Sequence, residues 1–458
     1  MSSTPRTARA PRTTPASAPP RPWCAIDFGT SNSAVAVPSP AEGTPPPGQP
    51  LSGDITLVPL EQGLVTMPTA VFFRSDDAPG LEPRPDVGRA AVQAYVDGLD
   101  GRLMRSMKSF LGSSLAEAHT DIGGGRSLRY LDIVSGYLRE LKRRTEQTLG
   151  QSVDQAVLGR PVSFVDDDPA RDAQAQRALE AAARAVGFRT LHFQLEPMAA
   201  ALDHESTLQA PQCVLVADIG GGTSDFTLVR LGPQLRQKLD RRDDVLAHHG
   251  VHIAGTDFDR RLSLATLMRC LGLGAHRPAR PGELPREVPS GIYFELATWH
   301  LINTVYAPAR LAEVRQMRTW YAQPEHHRRL MTVLTERLGH SLAACAEQGK
   351  IDAASQGLAR LDMGLVESGL ALDVSEAEAA QAIESDCEAI ERAAAETARR
   401  AQVSPETVDA VYLTGGSTGL APLARRIVAQ FPRARAIRGD PFASVARGLG
   451  VHAQRLFA

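Results

Sequence analysis

The chain has 458 residues, 43% of them hydrophobic, and its 50 basic and 52 acidic side chains leave a formal charge of -2. This length suits one large bilobal core or two to three smaller ones, and the balanced charge gives no electrostatic case for nucleic acid or an anionic membrane. No apolar run approaches the roughly 20 residues that span a bilayer, and five widely spaced cysteines without a C-x-x-C pair point to reduced core thiols in a cytoplasmic compartment.

Residues 1–22 are Pro, Ala, Ser, Thr and Arg with almost nothing to pack, which predicts a disordered tail rather than a signal or transit peptide. An apolar strand then runs from Trp23 into Asp27-Phe28-Gly29 and returns as a second alternating strand to Val37. The Pro/Gly-rich stretch 38–53 reads as an exposed insert in a hairpin connection. Residues 55–73 read as strands broken at Gly63 and Pro68, and 87–111 as a helix with Lys108 near its end. An amphipathic helix is expected over 133–149, and a strand over 155–163 reaches a turn at Pro161. A helix over 170–186 is ended by Gly187. A short strand, 191–195, enters Glu196-Pro197 and another Ala-rich helix.

The second half repeats this order. A strand from Val214 meets Asp218-Ile219-Gly220-Gly221-Gly222-Thr223, and a second strand carries Asp225 onward to Val229. A large helical insertion, 262–372, precedes a long helix over 377–401. Trp299, Trp320 and Tyr321 are expected in the core of that insertion, with a partner surface on the insert as the alternative. A strand over 410–413 opens into Thr414-Gly415-Gly416-Ser417-Thr418-Gly419, followed by a helix after Pro422, a short strand around 434–437 and a closing helix from Phe442. The pattern is a duplicated α/β unit with mixed sheets: lobe I at 23–209 with an insert near 55–129, and lobe II at 210–458 with the helical insert. Each hairpin brings a carboxylate to a strand end beside small residues with exposed amides, as phosphate and a metal-bound water require. Two such loops imply two lobes closing on one nucleotide.

Together these turns resemble the phosphate and adenosine loops of the actin, hexokinase and heat-shock-70 superfamily. Ala25-Ile26-Asp27-Phe28-Gly29-Thr30-Ser31-Asn32-Ser33 is similar to the first phosphate loop of heat-shock-70 (DnaK-type) proteins. Leu195-Glu196-Pro197-Met198-Ala199-Ala200-Ala201, Ile253-Ala254-Gly255-Thr256-Asp257-Phe258-Asp259 and Leu413-Thr414-Gly415-Gly416-Ser417-Thr418 resemble further segments of that family in matching order. The resemblance implies an actin-like ATPase fold of two ribonuclease-H-like units, ATP/ADP and Mg²⁺ as cofactors, and slow ATP hydrolysis. It implies that Asp27 and Asp218 orient Mg²⁺ through its waters, with Asp225 beside the metal. Gly29, Thr30, Ser31 and Asn32 would cradle phosphates together with Gly220, Gly221, Gly222 and Thr223. Lys108 would be the catalytic cation, Glu196 would position water or relay nucleotide state, and Glu347, Lys350, Gly415, Gly416 and Ser417 would hold the nucleoside. Each role has a structural alternative: Lys108 as a solvated helix charge, Glu196 as a strand end at a turn, Asp225 as a hairpin acceptor.

Two departures stand out. Gly419 replaces the Arg that the family stacks on adenine, and Ile351 replaces the second cation of an E-x-x-K-R pattern whose acid and lysine are Glu347 and Lys350. The 39 residues after Gly419 are consumed by the ATPase lobe, so a peptide-binding module is not expected and the resemblance is nearest to stand-alone, ATPase-domain-only bacterial members. Expected partners are ATP and a protein client or co-chaperone-like factor, with neither nucleic acid nor membrane and with oligomeric state left open. A nucleotide-sensing scaffold, an actin-like filament protein and a sugar-kinase-like phosphotransferase are the alternatives. His248, His249 and His252 read as structural rather than metal ligands.

Overall fold

Two hairpins seed two sheets of the same order. The computed structural model describes residues 22–39, 55–75, 84–123, 125–165, 168–278, 284, 286–440 and 443–457. The expected tail at 1–22 and the insert at 38–53 fall almost wholly outside the described residues. In the first sheet, Trp23–Phe28 pairs antiparallel with Asn32–Pro38 and parallel with Gln155–Arg160, which pairs parallel with Thr190–Leu195. Ile55–Leu57 adds an antiparallel strand at the far side of Asn32–Pro38. In the second sheet the corresponding places belong to Gln212–Ile219, Ser224–Leu231, Ala410–Thr414, Arg435–Arg438 and Val245–Val251. Central strands covered on both faces read as near-continuous apolar runs, which is why Cys24, Ala25 and Ile26, and likewise Val214, Leu215 and Val216, are all buried.

One core lies between the first sheet and the helices Tyr130–Leu149 and Pro169–Ala185. The second helix starts on Pro169, with the Asp168 side chain accepting from the Arg171 amide as its cap. Another core joins the two sheets through helices Glu196–Thr207 and Ser444–Phe457. These two helices touch along their backbones, because a Cβ built on Gly448 would lie 1.8 Å from the Ala199 carbonyl oxygen. The last helix therefore leaves the second sheet and packs against strands of the first. Among the described residues no helix is long and apolar enough to cross a membrane.

Several local expectations are corrected. Residues 87–111 form a short helix, Arg89–Val96, then the strand Gly101–Arg105 paired with Ala70–Arg74, then a 3-10 turn, Met107–Phe110, that carries Lys108. Gly98 at φ 70° ends the helix, and the free edge of Ala70–Arg74 captures the next stretch of chain as a strand. The helix expected over 377–401 is two, Glu376–Ala382 and Glu384–Arg400, separated where Ile383 turns into the core under the second sheet. The helical insertion ends in a hairpin, Leu358–Asp362 with Ala371–Ser375, whose exposed and buried residues alternate with the period of a strand. Only Cys24 and Cys387 are buried thiols; Cys213, Cys270 and Cys345 are half-buried, and all five are free.

Candidate functional site

Each Asp-Gly hairpin ends at the same place in its sheet, so the parallel pairing of Gln155–Arg160 and Ala410–Thr414 beside it delivers further loops to the same edge. The resulting cleft, about 1420 Å³, is lined by Asp27, Gly29, Thr30, Ser31 and Asn32 from the first hairpin. Gly220, Gly221, Gly222, Thr223 and Asp225 line it from the second, together with Asp218. Lys108, Glu196, Glu347, Lys350, Gly415, Gly416 and Ser417 line it as well. Every residue singled out from the sequence as a site residue thus faces one crevice.

The two loops approach one another closely. The Ser31 hydroxyl lies 3.0 Å from where a Cβ on Gly221 would sit, so a side chain at 221 forces the loops apart. Gly29 closes the first turn, since a Cβ there would stand 2.2 Å from the Asn32 carbonyl. Gly415 holds φ at 84°, with Asp218 Oδ1 2.5 Å from its missing Cβ, a position that suits only glycine. Ser417 Oγ donates to the Gly220 carbonyl at 2.7 Å, and the Thr256 amide donates to Gly221 at 2.8 Å, so the third loop and a helix start brace the second.

The hairpins differ in the residue that faces each aspartate. Asp27 faces Ala34, whereas Asp218 faces Asp225. Burial pushes the Asp27 carboxyl far above the usual range, reinforced by Glu196 and, more weakly, Asp218, and opposed by Lys108. Asp218 is pushed up to about 7 by burial first, then by Asp225 and Glu196, again opposed by Lys108. Asp225 is raised by burial, with Lys108 among the groups that oppose it. Three aspartates and Glu196 thus gather around one ammonium. Lys108 Nζ lies 2.5 Å from Glu196 Oε1, an ion pair whose side chains are 10% and 17% exposed. Such a surplus of negative charge, in small hard oxygen donors, fits a divalent cation of the Mg²⁺ type held mainly through waters.

Sequence reading missed several contributors. Gly159 makes room for Glu196, since a Cβ there would come 3.1 Å from its Cγ; an isolated glycine inside an apolar strand was the available signal. Lys350 is held by Asp259 at 2.6 Å. Trp299 does not belong to the core of its insert. Its ring meets Arg105, while Tyr321 is buried as expected and Trp320 packs at the core's edge. The histidine-rich strand Val245–Val251 places His248 Nε2 3.1 Å from Ser163 Oγ, and no group of three or more His, Cys, Asp or Glu side chains among the described residues is set to ligate a metal directly, so a cation at the aspartates would be held through waters.

The family model described as Hsp70 protein matches residues 24–265, more than half of the chain, and the chain belongs to the Hsp70 family. Its paired mixed sheets are those of the actin-like ATPase fold. The chain is similar, at 31% identity over 257 residues, to the chaperone protein HscA homolog of Pseudomonas putida; the match covers 52% of this chain and 36% of that protein. The chain thus accounts for little more than a third of that relative's length.

Proposed function

We propose that the chain binds ATP and ADP with Mg²⁺ between lobes 23–209 and 210–458, and that it hydrolyses ATP slowly. Lobe closure would report nucleotide state to a protein client or co-chaperone-like partner. The observation that carries this reading is the convergence of Asp27 and Asp218, from separate hairpins, on the cleft that also holds the Lys108–Glu196 pair.

Asp27 and Asp218 would hold the hydrated Mg²⁺, with Asp225 next to them. When bound, the ion would neutralise phosphate charge and polarise the γ-phosphoryl group. The amides of Gly29 to Asn32 and Gly220 to Thr223 orient the phosphate chain. Lys108 places positive charge where the transferred phosphoryl group develops negative charge, and Glu196 orients a water for in-line attack while fixing the ammonium. Thr223 adds a hydroxyl at the γ-phosphate. Calorimetric titration with Mg·ATP and Mg·ADP, paired with a phosphate-release assay, tests the proposal; protein that neither binds nor turns over Mg·ATP overturns it.

A further inference from the structure

Charge is distributed unevenly along the cleft. Its inner end holds Asp27, Asp218, Asp225, Glu196 and Lys108. The loop after Ala410–Thr414 is tied to that end by Ser417, then leads outward, and at Gly419 an added Cβ would meet nothing within 4 Å. The helix Gly339–Gln356 contributes Ile351 and Ala354 to the outer part of the cleft, with Ile351 46% exposed. Lys350 is not available there, because its ammonium is drawn back 2.6 Å from Asp259 and 3.5 Å from the Gly255 carbonyl.

A cation on the same side as Gly419 is Arg438, which follows that loop in the neighbouring strand. It ends the strand Arg435–Arg438, in register with Leu413, and is exposed at the cleft rim. Its Nη1 donates to the Thr418 carbonyl at 3.5 Å, which sets the guanidinium beside the open Gly419 step. It makes no ion pair among the described residues. An apolar slot open to water, with an unneutralised planar cation at its rim, matches a flat aromatic ring. The ring packs on the aliphatic side chains, and the guanidinium meets its π face or its acceptor edge.

We propose that Arg438 recognises the purine base of the bound nucleotide and supplies from a different strand the cationic contact that residues 351 and 419 do not provide. The inference rests on the nucleotide reading above. Guanidinium recognition of a ring depends on the plane of the group, whereas attraction of phosphates depends only on charge, so the two separate experimentally.

The test is calorimetric titration of the full chain with Mg·ATP and with Mg·tripolyphosphate, which lacks base and ribose. Arg438→Ala is expected to weaken ATP about three- to thirtyfold and to leave tripolyphosphate unchanged. Arg438→Lys is expected to recover only part of the loss, and both variants should melt with the parent because the side chain is exposed. Equal ATP affinity in parent and Arg438→Ala, or equal weakening of tripolyphosphate, overturns the inference while nucleotide binding stands. A parent protein that binds neither ligand overturns the nucleotide reading, and this inference with it.

Discussion

The Arg105 guanidinium lies 4.3 Å from the centre of the Trp299 ring, joining the strand Gly101–Arg105 to a segment almost 200 residues further along the chain. Tyr95 and His340 complete the contact, with ring centroids 5.0 and 5.6 Å from Trp299. Asn303 Nδ2 donates to the Tyr95 carbonyl at 3.1 Å. Burial lowers His340 to about 4, so the cluster keeps a neutral imidazole at physiological pH. We predict that this contact acts as a latch on nucleotide release. Trp299→Ala removes cation–π and ring contacts worth about 1–1.5 kcal/mol, and release of a fluorescent nucleotide in stopped flow is expected to quicken about tenfold. A release rate equal to the parent's would remove the latch role.

Lys108 makes its nearest ionic contact with Glu196, from an element far away in sequence. Lys108→Ala should lower the single-turnover hydrolysis rate by about 10²–10³ while nucleotide affinity changes far less, because the ammonium acts on charge that develops in the transition state. Unaltered hydrolysis in this variant would favour a nucleotide-sensing scaffold.

Asp218 carries a pH signature with a definite sign. Its folded value, about 7, exceeds that of an unfolded aspartate, so the folded state binds the extra proton and the stability this contributes is lost as pH rises toward and through 7. Asp218→Asn should therefore raise the thermal midpoint of nucleotide-free protein by about 2 °C or more near pH 8, and the gap should narrow near pH 5. The same variant should lose Mg²⁺-dependent nucleotide binding, which in the parent tightens over the same rise in pH. Scanning calorimetry at the two pH values checks this; a lower midpoint for the variant near pH 8 would refute it.

Arg241 is 1% exposed and bridges Glu205 at 2.8 Å and Asp244 at 2.6 Å. Glu205 also accepts from the Gly232 amide at 3.1 Å, so the network pins the end of helix Glu196–Thr207 to the second sheet. Arg241→Ala leaves buried carboxylates uncompensated and should cost about 3–5 kcal/mol in urea denaturation. The paired change Arg241→Met with Glu205→Leu should recover most of that loss; if the double variant is no more stable than the single, charge burial is not the source.

The sequence by itself determined the two Asp-Gly hairpins, the apolar strands behind them, the Gly-rich third loop and the loop residues that line the cleft. These are local patterns: strand periodicity, glycine where the chain must turn sharply, and carboxylates at strand ends act over a few residues and leave their mark in order. The stretch before Lys108 has a helix-like spacing, but Gly101–Arg105 pairs with Ala70–Arg74, a partner that only the fold supplies, and Lys108 falls on the 3-10 turn that follows. Tertiary structure alone decided that Lys108 meets Glu196, that Arg105 meets Trp299, that Arg241 lies between Glu205 and Asp244, and that Arg438 stands beside Gly419. Apart from the local Arg241–Asp244 pair, each of these contacts joins elements that local periodicity does not relate, and its partners are fixed by how two sheets and their crossing helices pack.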